Sequence, residues 1–185
     1  MTALRLAIFD CDGTLVDSQA NICMAMEHAF EEAGLQPPAR HATRRIVGLS
    51  LVEAMRQLLP DAEDRLHQDM AERYKQAFFT LRGNGLVDEP LYDGMAAVLS
   101  ELDENGWLLG VATGKSDRGL DRCLDHHGIK GLFVTLQTAD RHPSKPHPSM
   151  VWQALADAGV DAANAVMIGD TVYDIHMGKA AGCRT

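Results

Sequence analysis

The chain has 185 residues, of which 46% are hydrophobic, and its 17 Lys and Arg against 26 Asp and Glu leave a formal net charge of −9. That is enough apolar material for one well-buried core with a modest second domain or insertion. The acidic balance argues against a nucleic-acid partner, whose phosphodiester backbone needs clustered cations.

Four cysteines, Cys11, Cys23, Cys123 and Cys183, lack the paired spacing of a zinc site or a secreted disulfide framework. Free thiols in a reducing cytoplasm are expected. No basic-then-apolar leader opens the sequence and no apolar run approaches membrane-spanning length, so a cytoplasmic protein without a membrane partner is expected.

In chain order, Leu4 to Phe9 is a short apolar run that stops at Asp10, as a parallel strand covered on both faces would. Leu108 to Ala112 ends likewise at Thr113-Gly114-Lys115, and Ala165 to Ile168 at Gly169-Asp170. A weaker run, Gly131 to Leu136, predicts a fourth strand before the loop from Asp140 to Pro148. Between them Asp93 to Glu104, Ser116 to His127 and Pro148 to Ala158 carry apolar residues at helical spacing. Alternating strands and helices predict an α/β fold, a doubly wound parallel sheet with right-handed crossovers.

The stretch 17–88 breaks the alternation and reads as helix. Ser18 is expected to cap a helix that ends at Gly34, Ser50-Leu51-Val52-Glu53 reads as a capping box for a helix stopping at Pro60, and Ala62 to Leu81 makes a third. Met24, Met26, Met55, Phe78 and Phe79 are expected in the core between these helices. This gives an α/β core of 1–16 and 89–185 and a helical insertion of 17–88, joined by two adjacent connections that form a natural hinge. Thr171 to Ala181 predicts a last helix, after which Cys183 to Thr185 resembles the start of a further strand, and a truncated chain is expected.

The polar strand ends collect Asp10, Asp12, Thr113, Gly114, Lys145, Asp170 and Asp174. In open α/β sheets, ligands bind outside the carboxyl ends of the strands. Asp10 and Asp12, two apart in extended backbone, can face one small site while Cys11 points away. Paired carboxylates, a hydroxyl, a glycine amide and a lysine suit a divalent cation and a phosphate. The eight histidines include no pair with useful ligand spacing within one element; His126-His127 is read as stabilising a helix C-terminus.

Asp10-Cys11-Asp12-Gly13-Thr14-Leu15-Val16-Asp17, Thr113-Gly114-Lys115, Ser144-Lys145-Pro146-His147-Pro148 and Gly169-Asp170-Thr171-Val172-Tyr173-Asp174 resemble the four motifs of the haloacid dehalogenase superfamily. The helical insertion resembles its cap, and Arg44 to Ser50 is most similar to the phosphoglycolate phosphatase branch. The resemblance implies a Rossmann-like core whose last strand is missing here, and a phosphatase acting on a small phosphorylated metabolite. It implies Asp10 as nucleophile and Asp12 as acid and base. It further implies Mg2+ held by Asp10, the Asp12 carbonyl and Asp170 with help from Asp174, and phosphate held by Thr113, Gly114 and Lys145. Substrate selection is expected around Arg45, Gly48 and Leu49, and a bare sheet edge invites self-association.

Rival readings stay open at this point. A sugar phosphate mutase resembling β-phosphoglucomutase shares these motifs, though Leu51 stands where that branch places a basic residue after the cap turn. A dehalogenase lacks the second carboxylate that Asp12 supplies here. A response-regulator receiver has its acceptor on a central strand and no helical cap, and a noncatalytic binding protein of the same superfamily is the remaining alternative.

Overall fold

The computed structural model describes residues 3–185. Strands β1 (Arg5–Phe9), β2 (Trp107–Thr113), β3 (Phe133–Thr138) and β4 (Ala165–Ile168) form one parallel sheet in the order β3-β2-β1-β4. Leu6, Ala7, Ile8 and Phe9 of β1 are all buried, because helices cover both faces. The side chains alternate with period two. Leu6 and Ile8 pack with Met150 and Ala154 of α7 (Ser149–Ala158) and Met177 of α8 (Val172–Ala180). Ala7 and Phe9 pack with Leu99 of α5 (Met95–Glu104) and Leu120 and Leu124 of α6 (Asp117–His126). Since β2 and β4 lie on opposite sides of β1, the strand order reverses there and opens a crevice at the carboxyl ends of β1 and β4.

The remaining helices, α1 (Gln19–Glu32), α2 (Arg40–Arg45), α3 (Leu51–Leu58) and α4 (Asp64–Gly83), lie between β1 and β2 in sequence and share a hydrophobic core of their own. Ile22, Met26 and Phe30 of α1 meet Met55 of α3 and Met70, Tyr74 and Leu81 of α4. The chain leaves the sheet and returns to it side by side. The Asp17 amide donates to the Pro90 carbonyl at 2.8 Å, the Tyr92 amide to the Leu15 carbonyl at 3.1 Å, and Val16 and Leu91 form an antiparallel bridge.

Several local expectations are corrected. The Ser50–Glu53 capping box does not form: the Ser50 amide donates to Ser144 Oγ at 2.9 Å and Glu53 pairs with Arg56. Ser18 makes no side-chain cap either, because its hydroxyl is turned to Asp12. Phe79 is 52% exposed rather than in the core. Strand β3 starts two residues late, since Lys130–Leu132 turns as a 3-10 helix. Helix α2, Arg40–Arg45, lies in the stretch expected to be helical but has no apolar period to delimit it.

At the C-terminal end, Arg184 bridges Val166 in parallel, and the Met167 amide donates to the Arg184 carbonyl at 2.8 Å. The expected run after α8 therefore does begin to pair beside β4. Among the described residues no helix is long and apolar enough to cross a membrane.

Candidate active site

Asp10 follows β1 directly, and its amide donates to the Ile168 carbonyl at 2.9 Å, which ties it to the end of β4. Its side chain is fully buried. Oδ1 accepts a 2.7 Å hydrogen bond from Lys145 Nζ, while Oδ2 has no partner among the described residues. Burial pushes the Asp10 carboxyl up to about 7, with Asp174 and Asp12 adding and Lys145 opposing. A buried acceptor without a donor is rare and calls for an explanation.

Lys145 Nζ also donates to Asp174 Oδ1 at 2.7 Å, again with both side chains fully buried. Burial works against the ammonium, yet Asp10 and Asp174 hold the Lys145 pKa above its ordinary value. Asp174 is locked from its other side. Its Oδ2 accepts from the Thr171 amide at 3.1 Å and the Thr171 hydroxyl at 2.7 Å, forming the capping box of α8. The carboxylate fills the space beside Gly169, where a Cβ would lie 2.3 Å from Asp174 Cγ. Asp174, expected beside the metal, also closes a capping box, and the Thr171-to-Asp174 spacing carries that signal.

Asp170 lies two residues beyond the end of β4 as an exposed residue whose Oδ1 accepts from Thr14 Oγ1 at 3.4 Å. Its carboxyl is raised by partial burial. Oxygens of Asp10, Asp170 and Asp174 lie within 4.8 Å of one another. Asp10 also carries the unpartnered Oδ2, and three such carboxylates fit a hard divalent cation.

Asp12 is 8% exposed. Its Oδ1 accepts from Ser18 Oγ at 2.5 Å and pairs with Lys115 Nζ at 2.9 Å. Thr113 is buried at the end of β2 and accepts at Oγ1 from the Lys115 amide. Ser116, not Thr113, caps α6, accepting from the Gly119 amide at 3.1 Å. Gly114 has backbone packed against it, for a Cβ there would lie 2.5 Å from the Leu49 carbonyl oxygen and 2.6 Å from that of Gly48. The loop between α2 and α3 thus rests directly on the end of β2.

A cavity of about 250 Å³ lies between the helical unit and the sheet. Asp12, Gly48, Leu49, Lys115, Phe78 and Phe79 are among its lining residues. Arg45 is exposed at the end of α2 and does not line it; Arg82, Arg118 and Arg122 do. Arg118 and Arg122 stand one helical turn apart on α6, a signal readable from their spacing. Glu89, in the return connection, carries no sequence signal of a role, yet it holds Lys115 at 2.8 Å and Arg82 at 2.5 Å. His127, expected only to stabilise a helix end, shares a hydrogen bond with the Glu89 carbonyl at 2.8 Å.

The haloacid dehalogenase-like hydrolase family model matches residues 7–185. Probable phosphatase IndB of Dickeya dadantii (strain 3937) is 37% identical over 183 residues, covering 96% of this chain and 77% of that protein. Pyrophosphatase PpaX of Bacillus pumilus (strain SAFR-032) is 30% identical over 185 residues, covering 100% of this chain and 82% of that protein. The crystal structure of a predicted phosphoglycolate phosphatase from Haemophilus somnus 129pt superposes with a TM-score of 0.82 at 25% identity, covering 99% of this chain and 84% of that one. By sequence, by fold and by the residues gathered at its strand ends, the chain belongs to the haloacid dehalogenase-like hydrolase family.

Proposed function

We propose that the chain is a magnesium-dependent phosphatase that hydrolyses a small phosphomonoester of the phosphoglycolate kind through a phosphorylated Asp10. It is a phosphoric monoester hydrolase by family, and the relatives named as phosphatases support that reading. The observation that carries it is the fully buried Asp10 carboxylate, with one oxygen held by Lys145 and the other without a partner beside Asp170 and Asp174.

In this reading an Asp10 oxygen attacks phosphorus in line. A bond forms between Asp10 and phosphorus as the bond to the leaving oxygen breaks, and Asp12 gives that oxygen its proton. Water then attacks the phosphoryl group, Asp12 takes the proton back, and Asp10 departs as carboxylate with release of phosphate. Lys145 has three N–H donors and spends two on Asp10 and Asp174, leaving the third for a phosphoryl oxygen. Thr113 and the Gly114 amide stand at the same strand end and are assigned to the remaining phosphoryl oxygens. Asp10, the Asp12 carbonyl and Asp170, with Asp174 behind them, would hold magnesium, which when bound would supply positive charge to the transferring group.

The α1–α4 unit, residues 17–88, serves as a cap that excludes water during transfer and selects the substrate in the cavity it shares with the core. The packing of Gly48 and Leu49 on Gly114 supports a closed arrangement. A phosphate-release screen over small phosphomonoesters, run with and without magnesium, tests the proposal. Magnesium-dependent release from at least one substrate is expected, and no release from any would refute it. Conversion of a sugar 1-phosphate to its 6-phosphate without release would place the chain among the mutases instead.

A further inference from the structure

Both connections between the sheet and the helical unit end on one carboxylate. Ser18, at the start of the outgoing connection, donates from its hydroxyl to Asp12 Oδ1 at 2.5 Å. Glu89, in the return connection, accepts at Oε1 from Lys115 Nζ at 2.8 Å, and the same ammonium lies 2.9 Å from Asp12 Oδ1. The Lys115 and Glu89 side chains are only 11% and 7% exposed. Glu89 Oε2 accepts from Arg82 of α4 at 2.5 Å, and Asn21 of α1 donates to the Asp88 carbonyl. A chain of charge-assisted bonds therefore runs from α4 through Glu89 and Lys115 to Asp12.

Burying two opposite charges is weak evidence of a stabilising role, since apolar replacements often do as well. What distinguishes this pair is where it ends. Ser18 and Lys115 both take Oδ1, so the carboxyl is held in one rotamer while Oδ2 makes no hydrogen bond among the described residues, and Asp12 lines the cavity. We infer that Lys115 and Glu89 are positioning residues, which aim the free oxygen of Asp12 at the leaving group and make that aim depend on the seating of the helical unit. The inference rests on the phosphatase reading above and on Asp12 as its proton donor.

The test uses leaving groups of different need. An alkyl phosphate requires protonation of its departing oxygen, whereas p-nitrophenyl phosphate releases a stable phenolate without it. With the chain in magnesium, kcat/KM reports the steps up to departure of the leaving group for wild type, Lys115→Met and the double variant Lys115→Met/Glu89→Gln. Both variants are expected to lose on the order of 100-fold on the alkyl phosphate and less than about tenfold on the aryl phosphate. The double variant removes the Glu89 charge together with that of Lys115, leaving Asp12 its bond from Ser18 and Arg82 its partial exposure to solvent, and decides the matter if the single one does not fold. Equal losses on the two substrates, or none, overturn the inference while leaving the phosphatase reading intact. A wild-type chain inert toward both substrates overturns both.

Discussion

The Lys145 ammonium stands 2.7 Å from Asp10 Oδ1, with both side chains fully buried. Asp174 lies on the other side of the same ammonium at 2.7 Å, so one cation is shared between two carboxylates taken out of water. Asp10 and the group that locks the start of α8 are thereby held by a single side chain from the loop after β3.

Removing that cation leaves two buried acids facing each other. Lys145→Met is expected to lower stability by about 3–5 kcal/mol, the range for breaking a buried pair by deleting one partner. Urea unfolding measures it, and a loss below about 1 kcal/mol would show that the two carboxylates do not depend on Lys145. Turnover should fall with it by at least about 100-fold, since the proposed phosphoryl contact is lost too.

The Asp10 carboxyl, raised by burial to about 7, links stability to pH and metal. Its folded value exceeds the ordinary 3.8, so its contribution to stability is present below about 3.8 and is lost as pH rises towards and through about 7. Without divalent ions the chain should melt lower at pH 8 than at pH 5.5. Magnesium competes with that proton, so it should raise the melting temperature at pH 8 and do little at pH 5.5. Thermal scans at both pH values, with magnesium or with chelator, check the sign, and equal magnesium effects at the two would contradict it.

Gly114 lets the loop of Gly48 and Leu49 sit directly on the end of β2. In Gly114→Ala the new methyl group would meet two carbonyl oxygens, at 2.5 and 2.6 Å, and the loop must lift. Because both contacts join the helical unit to the sheet, each part keeps its own core while the seating between them suffers. The expected outcome is a rise in KM or a fall in kcat of at least about tenfold, with the unfolding midpoint little changed. Steady-state kinetics that match wild type would show that this close approach is dispensable.

The sheet and most of the site were legible in sequence for a specific reason. A strand buried on both faces reads as an uninterrupted apolar run, and Asp10, Thr113 and Asp170 each mark where such a run stops. The features without a local signal depend on contacts between distant residues. Glu89 and Lys115 are 26 residues apart and meet only because the return connection passes the end of β2. Ser50 and Glu53 carry a capping-box pattern, but Ser144, 94 residues away, takes the Ser50 amide first. Phe79 continues the apolar pattern of α4 and still points to the cavity, since helical spacing does not say which face meets a ligand. Arg45 matched a family pattern by position, whereas the arginines that line the cavity sit on α4 and α6.

The proposed bond to phosphorus forms at Asp10. Asp10→Asn keeps the size and shape of the side chain, still accepts from Lys145 through its amide oxygen, and lacks the charge needed to attack. Phosphate release measured for wild type and Asp10→Asn under identical magnesium and substrate is the most direct test. The variant is expected to retain less than about one-thousandth of the wild-type rate, and a variant that turns over at the wild-type rate would contradict the assignment.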